Sequence, residues 1–273
     1  MKGGIVIEDK DLNQFVWVPV ATIADYKRTA YSSNVATEET DTETNSTKIY
    51  NDSDYYTEAL PEDEKTSVER YKGFYIGRYE AGDKDSTEAS TPALRTSSSS
   101  TSNKISIKAN QAPYNYVTRT QAKSLAEGFA TKQGYKAKTK LVSSYAWDTA
   151  IAFMQKSVSD YGTSSPQGNY YNTTFTYTDI TGATKTKAKS SSSVLFPTFV
   201  LVPTGQTTPV CNIYDMGGNV WECTTESCSS TWGPYAARGG DCDSGFASSP
   251  AGYRADYTGV ADDTSGFRLT LFM

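Results

Sequence analysis

Four cysteines and no histidine set the limits of the chemistry open to this chain of 273 residues. Without histidine there is no Ser-His-Asp or Cys-His nucleophile, no His-ligated zinc or iron, and none of the commonest general base at neutral pH. Carboxylates, tyrosines, lysines and the thiols of Cys211, Cys223, Cys228 and Cys242 remain. The spacing Cys223-x4-Cys228 fits no standard zinc pattern. A local disulfide, a Cys223–Cys242 or Cys228–Cys242 bridge, and plain half-buried thiols all stay open. Asp241, Asp243, Asp256, Asp262 and Asp263 carry the oxygen donors that Ca²⁺ prefers, so a structural calcium is conceivable. Their spacing is not that of an EF-hand loop, and solvated loop carboxylates are the simpler reading. Nothing in the spacing marks a carboxylate pair for glycoside hydrolysis. No cofactor is expected.

The elements that must position these groups are short and loop-connected. "GIVIEDKDLNQFVWVPV" at 4–20 reads as a β-hairpin with its turn at "DKDLN". Residues 21–70 are acidic and Thr/Ser-rich and read as a polar insertion. "ERYKGFYIGRYEAG" at 69–82 returns to a strand pattern, and 83–106 is a second polar insertion with a serine run. "YNYVTRTQAKSLAEGFATKQ" carries a helix signal, with Thr118 or Thr120 as cap and Ala122, Leu125, Ala126 and Phe129 as its apolar stripe. "LVSSYAWDTAIAFMQKS" is a second helix, capped by Ser143 or Ser144, with Trp147, Ile151 and Met154 facing inward. Residues 158–190 form a third polar insertion, and the apolar run 191–203 reads as a buried strand. The class is α+β: two helices on short, irregular antiparallel sheets, rich in loop, in one domain spanning 1–273.

Composition narrows the function. A net charge of −5 with scattered lysines leaves no nucleic-acid footprint. No run approaches the ~20 apolar residues of a membrane span. The N-terminus lacks the apolar stretch of a signal peptide, so the chain is expected to be cytoplasmic, released without a signal, or trimmed. Twenty tyrosines among many Ser, Gly and Asn residues match the chemistry of recognition loops.

"DMGGNVWECTTE" at 215–226 is the densest local pattern. Gly217 and Gly218 permit close backbone approach. Asn219 can bond neighbouring loop backbone, Trp221 can anchor a core, and Glu222 can pair with Arg238 or Arg268. This reads as scaffold rather than as a ligand site, and Phe267 and Arg268 read the same way.

Six pieces occur in a fixed order: "GFYIGRYEAG", "YVTRTQAKSLAEGFA", "LVSSYAWDTAIAFM", "NIYDMGGNVWE", "RGG" at 238–240 and "GFRL" at 266–269. Together, from about residue 16 to the end, they resemble the formylglycine-generating-enzyme subtype of the C-type-lectin-like fold. The resemblance implies three functions. Formylglycine generation needs a copper-binding cysteine pair beyond "RGG"; Cys242 lies there, but residues 243–273 hold no cysteine. The iron-dependent sulfoxide synthases need histidines, which are absent. The third is non-catalytic: the variable proteins of diversity-generating retroelements, which display a diversified C-terminal region.

That last resemblance implies a compositional bias, because adenine-directed mutagenesis of AAY codons cannot produce Lys, Glu, Gln, Met or Trp. From Ser227 to Phe272 there is no Lys, Glu, Gln or Met, and one tryptophan, Trp232. The expected variable region is 227–265. Its expected display residues are Tyr235, Ala237, Asp241, Cys242, Asp243, Ser244, Phe246, Ala247, Ser248, Tyr253, Asp256, Tyr257 and Val260. Arg238, Gly239, Gly240 and Arg254 belong with the scaffold, and Trp232 is equally a rim anchor or core. The implied partner is a cell-surface protein or glycan. The implied setting is a phage virion, such as a tail tip, or a bacterial surface, with homo-oligomers or a tail assembly compatible with it.

Overall fold

Two helices begin at the serine and threonine caps that the sequence offers. In the computed structural model, which describes residues 3–31, 38–41, 46–51, 54–84, 105–192 and 200–273, Thr118 caps one helix and Ser143 the other. The Thr118 side chain accepts from the backbone N–H of Gln121, whose own side chain reaches back in a capping box. Both helices follow a third, so we number them α1 (Glu62–Tyr71), α2 (Arg119–Gln133) and α3 (Ser144–Met154).

The hairpin at the N-terminus opens an antiparallel sheet of five strands. Their order is Val6–Glu8, Gln14–Pro19, Gly73–Gly77, Leu269–Phe272 and Lys138–Leu141. Alternation along Gln14–Pro19 sends Val16 and Val18 to one face and Phe15 to the other. Val16, Val18, Phe74 and Ile76 pack with Trp147, Ile151 and Met154 of α3. Phe15, Leu269 and Leu271 pack with Ala122, Leu125, Ala126 and Phe129 of α2. The sheet is thus covered by a different helix on each face, which explains why its three central strands, Gln14–Pro19, Gly73–Gly77 and Leu269–Phe272, are mainly apolar.

A second sheet carries the C-terminal half. Its order is Arg254–Tyr257, Tyr235–Arg238, Trp221–Cys228, Asp54–Thr57, Ser46–Asn51 and Glu38–Asp41, and Ser265–Phe267 runs parallel to Trp221–Cys228. Gly82–Asp83 pairs with Ile105–Ser106 and Ala112–Pro113, and Phe175–Thr178 pairs with Thr184–Lys187. The molecule is therefore mixed α+β, with three helices and several small, mainly antiparallel sheets among the described residues.

Three expectations need correction. The stretch 21–70 is not merely a polar insertion: it supplies α1, three strands of the second sheet and buried groups. α1 escapes a periodicity argument because of its long side chains only Glu64 and Val68 are buried. Its punctuation is clear in hindsight, with Pro61 before three acidic residues and Lys72 in the left-handed region at its end. The polar stretch 158–190 holds a hairpin and the buried rings of Tyr161 and Tyr170. Of the strand expected at 191–203, residues 193–199 lie outside the described residues; Leu201 and Val202 are buried but form no strand. Most of the insertion at 83–106, residues 85–104, also lies outside them.

Candidate ligand-binding face

The scaffold of this face is a set of buried ion pairs beneath the second sheet. Arg238 and Arg254 stand opposite each other on paired strands. Asp148 of α3 lies between them: one carboxylate oxygen accepts from Arg238 Nη2 at 2.6 Å, the other from Arg254 Nη2 at 2.5 Å. Glu226 accepts from Arg28 and from Arg254, with Arg238 Nη1 at 3.7 Å. All five side chains are essentially inaccessible to water. Arg238 also donates to the carbonyls of Tyr253 and Gly252, and Arg254 to that of Thr29. These donors hold the candidate variable segment to α3 and to the N-terminal region.

"DMGGNVWECTTE" supplies a second anchor. Glu222 pairs with Arg268 by two bonds, at 2.9 and 2.6 Å, so the geometry selects Arg268 over Arg238. Asn219, at φ 68°, is a hub. Its amide donates to Glu80 and to the Val202 carbonyl, and its carbonyl oxygen accepts from Val202 N–H and Asn169. Its backbone carbonyl accepts from Cys242 N–H. Gly218, at φ 74°, touches the backbone of Asn169 so closely that a Cβ would lie 2.3 Å from its carbonyl oxygen. Gly217, Gly239 and Gly240 are buried with it, and Phe267 meets Tyr114 edge to face in the core. Trp221 differs from expectation: it is only half-buried, with its ring 6.1 Å from that of Tyr253.

The thirteen candidate display residues divide by burial. Ala247, Ser248, Asp256 and Val260 are exposed. Tyr235, Asp243, Ser244, Phe246 and Tyr253 are partly exposed. Ala237, Asp241, Cys242 and Tyr257 are buried, so their side chains face the interior and cannot meet a ligand in this conformation. Strand pairing accounts for Ala237 and Tyr257, which pack in the α2 core. Cys242 packs against Leu201 and Val220. Asp241 is spent inside its own turn, accepting from Ser244 Oγ at 2.6 Å and Asp243 N–H at 3.2 Å. Asp262 likewise accepts from Ser265 Oγ and Thr264 N–H. Among the described residues no three acidic or cysteine side chains converge as a metal site would need.

The accessible residues form two groups. The loop 243–248 packs on the 158–190 stretch, with Phe246 N–H donating to Asn172 and Tyr171 N–H to the Ser244 carbonyl. The other group surrounds the hairpin tip at 229–234 and the loop 258–260. Here Trp232 is 85 % exposed and so is not part of the core. Sequence reading missed Arg119 of α2. Its guanidinium lies 4.1 Å from the Tyr235 ring centroid and donates to the carbonyls of Thr224 and Thr225.

The four cysteines are free and buried, each in a different hydrophobic cluster. Burial pushes the Cys223 thiol up to about 12 and Cys242 well above the usual range, the latter with help from Asp241 and Asp243.

No family model and no curated protein matches the chain. Solved structures similar to it do exist. One is PvdO from Pseudomonas aeruginosa, at 15 % identity and TM-score 0.49 over all of both chains. Another is CarF, at 16 % and 0.42 over 74 % of this chain and 87 % of that one. A third is Treponema denticola variable protein 1, at 12 % and 0.48 over 98 % and 99 %. Both resemblances drawn from the sequence are represented among them.

Proposed function

We propose that this chain is a non-catalytic binding protein on a C-type-lectin-like scaffold of the formylglycine-generating-enzyme subtype, whose C-terminal face is diversified by a retroelement. The observation that carries the reading is the division within residues 227–272. The segment lacks Lys, Glu, Gln and Met, its arginines are buried in ion pairs, and its accessible side chains are small or aromatic ones on loops and strand ends. A rigid base with small and aromatic groups at its surface can change ligand without unfolding. The buried thiols support the non-catalytic side of the reading. A dithiol copper site needs two thiolates side by side, and these four lie in separate clusters. The residues present therefore do not fit that metal.

The ligand would be a protein or glycan of a cell surface, met from a phage virion or a bacterial envelope, with weak single contacts summed by multivalency. Sequencing the gene and its flanks across isolates tests the proposal. Substitutions should concentrate at Tyr235, Asp243, Ser244, Phe246, Ala247, Ser248, Tyr253, Asp256 and Val260, beside a near-identical template copy and a reverse transcriptase. Ala237, Asp241, Cys242 and Tyr257 should vary little. Substitutions spread evenly along the gene, with no template copy, would overturn it.

A further inference from the structure

Trp232 is the most exposed large apolar side chain among the described residues. It sits at the tip of the hairpin joining Trp221–Cys228 to Tyr235–Arg238. Ser230 Oγ accepts from the N–H groups of Trp232 and Gly233, both at 3.3 Å, and donates to Asp256 Oδ2 at 3.0 Å. Gly233 is wedged against the next strand, where a Cβ would lie 2.6 Å from the backbone nitrogen of Tyr257. An indole presented on a fixed turn loses little entropy on binding, and it is the side chain most often found as an interface anchor.

The carboxylates nearest this turn are Asp256 and Asp54, and Lys48 is engaged with the ring of Tyr55 on the strand beside it. Asp256 is exposed and joined to the Trp232 turn through Ser230. Asp54 reaches the other side of the same hairpin, its Oδ1 3.4 Å from Ser229 Oγ. Among the described residues neither carboxylate is in an ion pair, and Arg119 is committed to two carbonyls and the Tyr235 ring. An aromatic face next to unpaired carboxylates is complementary to a planar cation, which stacks on the ring and hydrogen-bonds the oxygens.

We propose that the Trp232 hairpin, with Asp256 and Asp54, docks an arginine-bearing segment of a protein partner. This deepens the binding reading above and rests on it for the biological setting. Trp232 is then a constant anchor beside variable neighbours, contributing affinity to each variant while the loops choose among partners.

The test uses the purified full chain, with tetra-arginine amide, tetra-lysine amide, tetra-glutamate amide and a neutral disaccharide as probes. The readout is the indole N–H resonance of Trp232, assigned by its loss in Trp232→Phe. Tetra-arginine should move this resonance at submillimolar concentration and leave that of buried Trp147 in place. Trp232→Ala should abolish the response, followed through the backbone amide of Ser230. Asp256→Asn should weaken it about three- to five-fold, and raised salt should weaken it further. Both substitutions are at exposed positions, so the other resonances should be retained. No response to tetra-arginine, an equal response to tetra-glutamate, or a response to the disaccharide alone would overturn the proposal. The isolate survey is read on the gene, so it can fail or succeed independently of this titration.

Discussion

Asp148→Ala should cost about 3–5 kcal/mol of folding stability, the loss expected when one partner of a buried ion pair is removed and the other charge is left behind. The effect is large because two arginines share this one carboxylate. Arg238 and Arg254 would be left with Glu226 and backbone carbonyls in a site closed to water. Asp148→Asn should cost less, because the amide oxygen can still accept one bond. Urea denaturation with an unchanged slope is the check, since a constant slope means that stability alone has moved. Ala247→Ser and Ser248→Ala, at exposed positions of the candidate display loop, should change stability by no more than about 0.5 kcal/mol. A similar loss at all these sites would remove the distinction between rigid base and tolerant surface on which the binding reading stands.

The contrast shows what sequence could and could not reveal. α2 and α3 were legible because a capping residue precedes a 3.6-residue apolar stripe, and the structure places Thr118 and Ser143 at those caps. The N-terminal hairpin was legible from two apolar runs with a turn between. "DMGGNVWE" was legible as scaffold because glycines and asparagine in that order suit left-handed backbone, which Gly218 and Asn219 adopt. α1 was not, because a helix docked through Glu64 and Val68 has no stripe to count. Buried display candidates were misplaced for a related reason: the strands that carry them, Tyr235–Arg238 and Arg254–Tyr257, are only four residues long. Two-residue alternation over so few residues fixes no phase, so Ala237 and Tyr257 looked no different from Tyr235. Charged groups hide in the opposite way. Arg28 reads as surface charge in a polar stretch, yet it is buried on Glu226, 198 residues away in sequence. Asp148 did leave a trace, as the one charged residue in α3.

Glu226 makes the same network sensitive to acid. Burial by itself would raise its carboxyl, but Arg254, Arg28 and Arg238 outweigh that and hold it down at about 2, with Ser144 Oγ donating as well. The reference value is 4.5, so the folded state binds this proton less readily than the unfolded chain does. The stabilisation is therefore fully present above about pH 4.5 and is lost as the pH falls toward 2. Glu226→Gln should be less stable at pH 7 by about 3–5 kcal/mol, since three guanidinium groups lose their shared anion. Its acid limb should be correspondingly shallower, so the two proteins converge in stability as the pH drops. Denaturation midpoints taken at intervals from pH 7 to pH 2 would show this directly. Parallel curves, with the wild type keeping its full advantage at low pH, would mean that Glu226 is not the group titrating. A glutamate that ties the N-terminal region, α3 and both framework arginines together would then hold them by shape and hydrogen bonding alone.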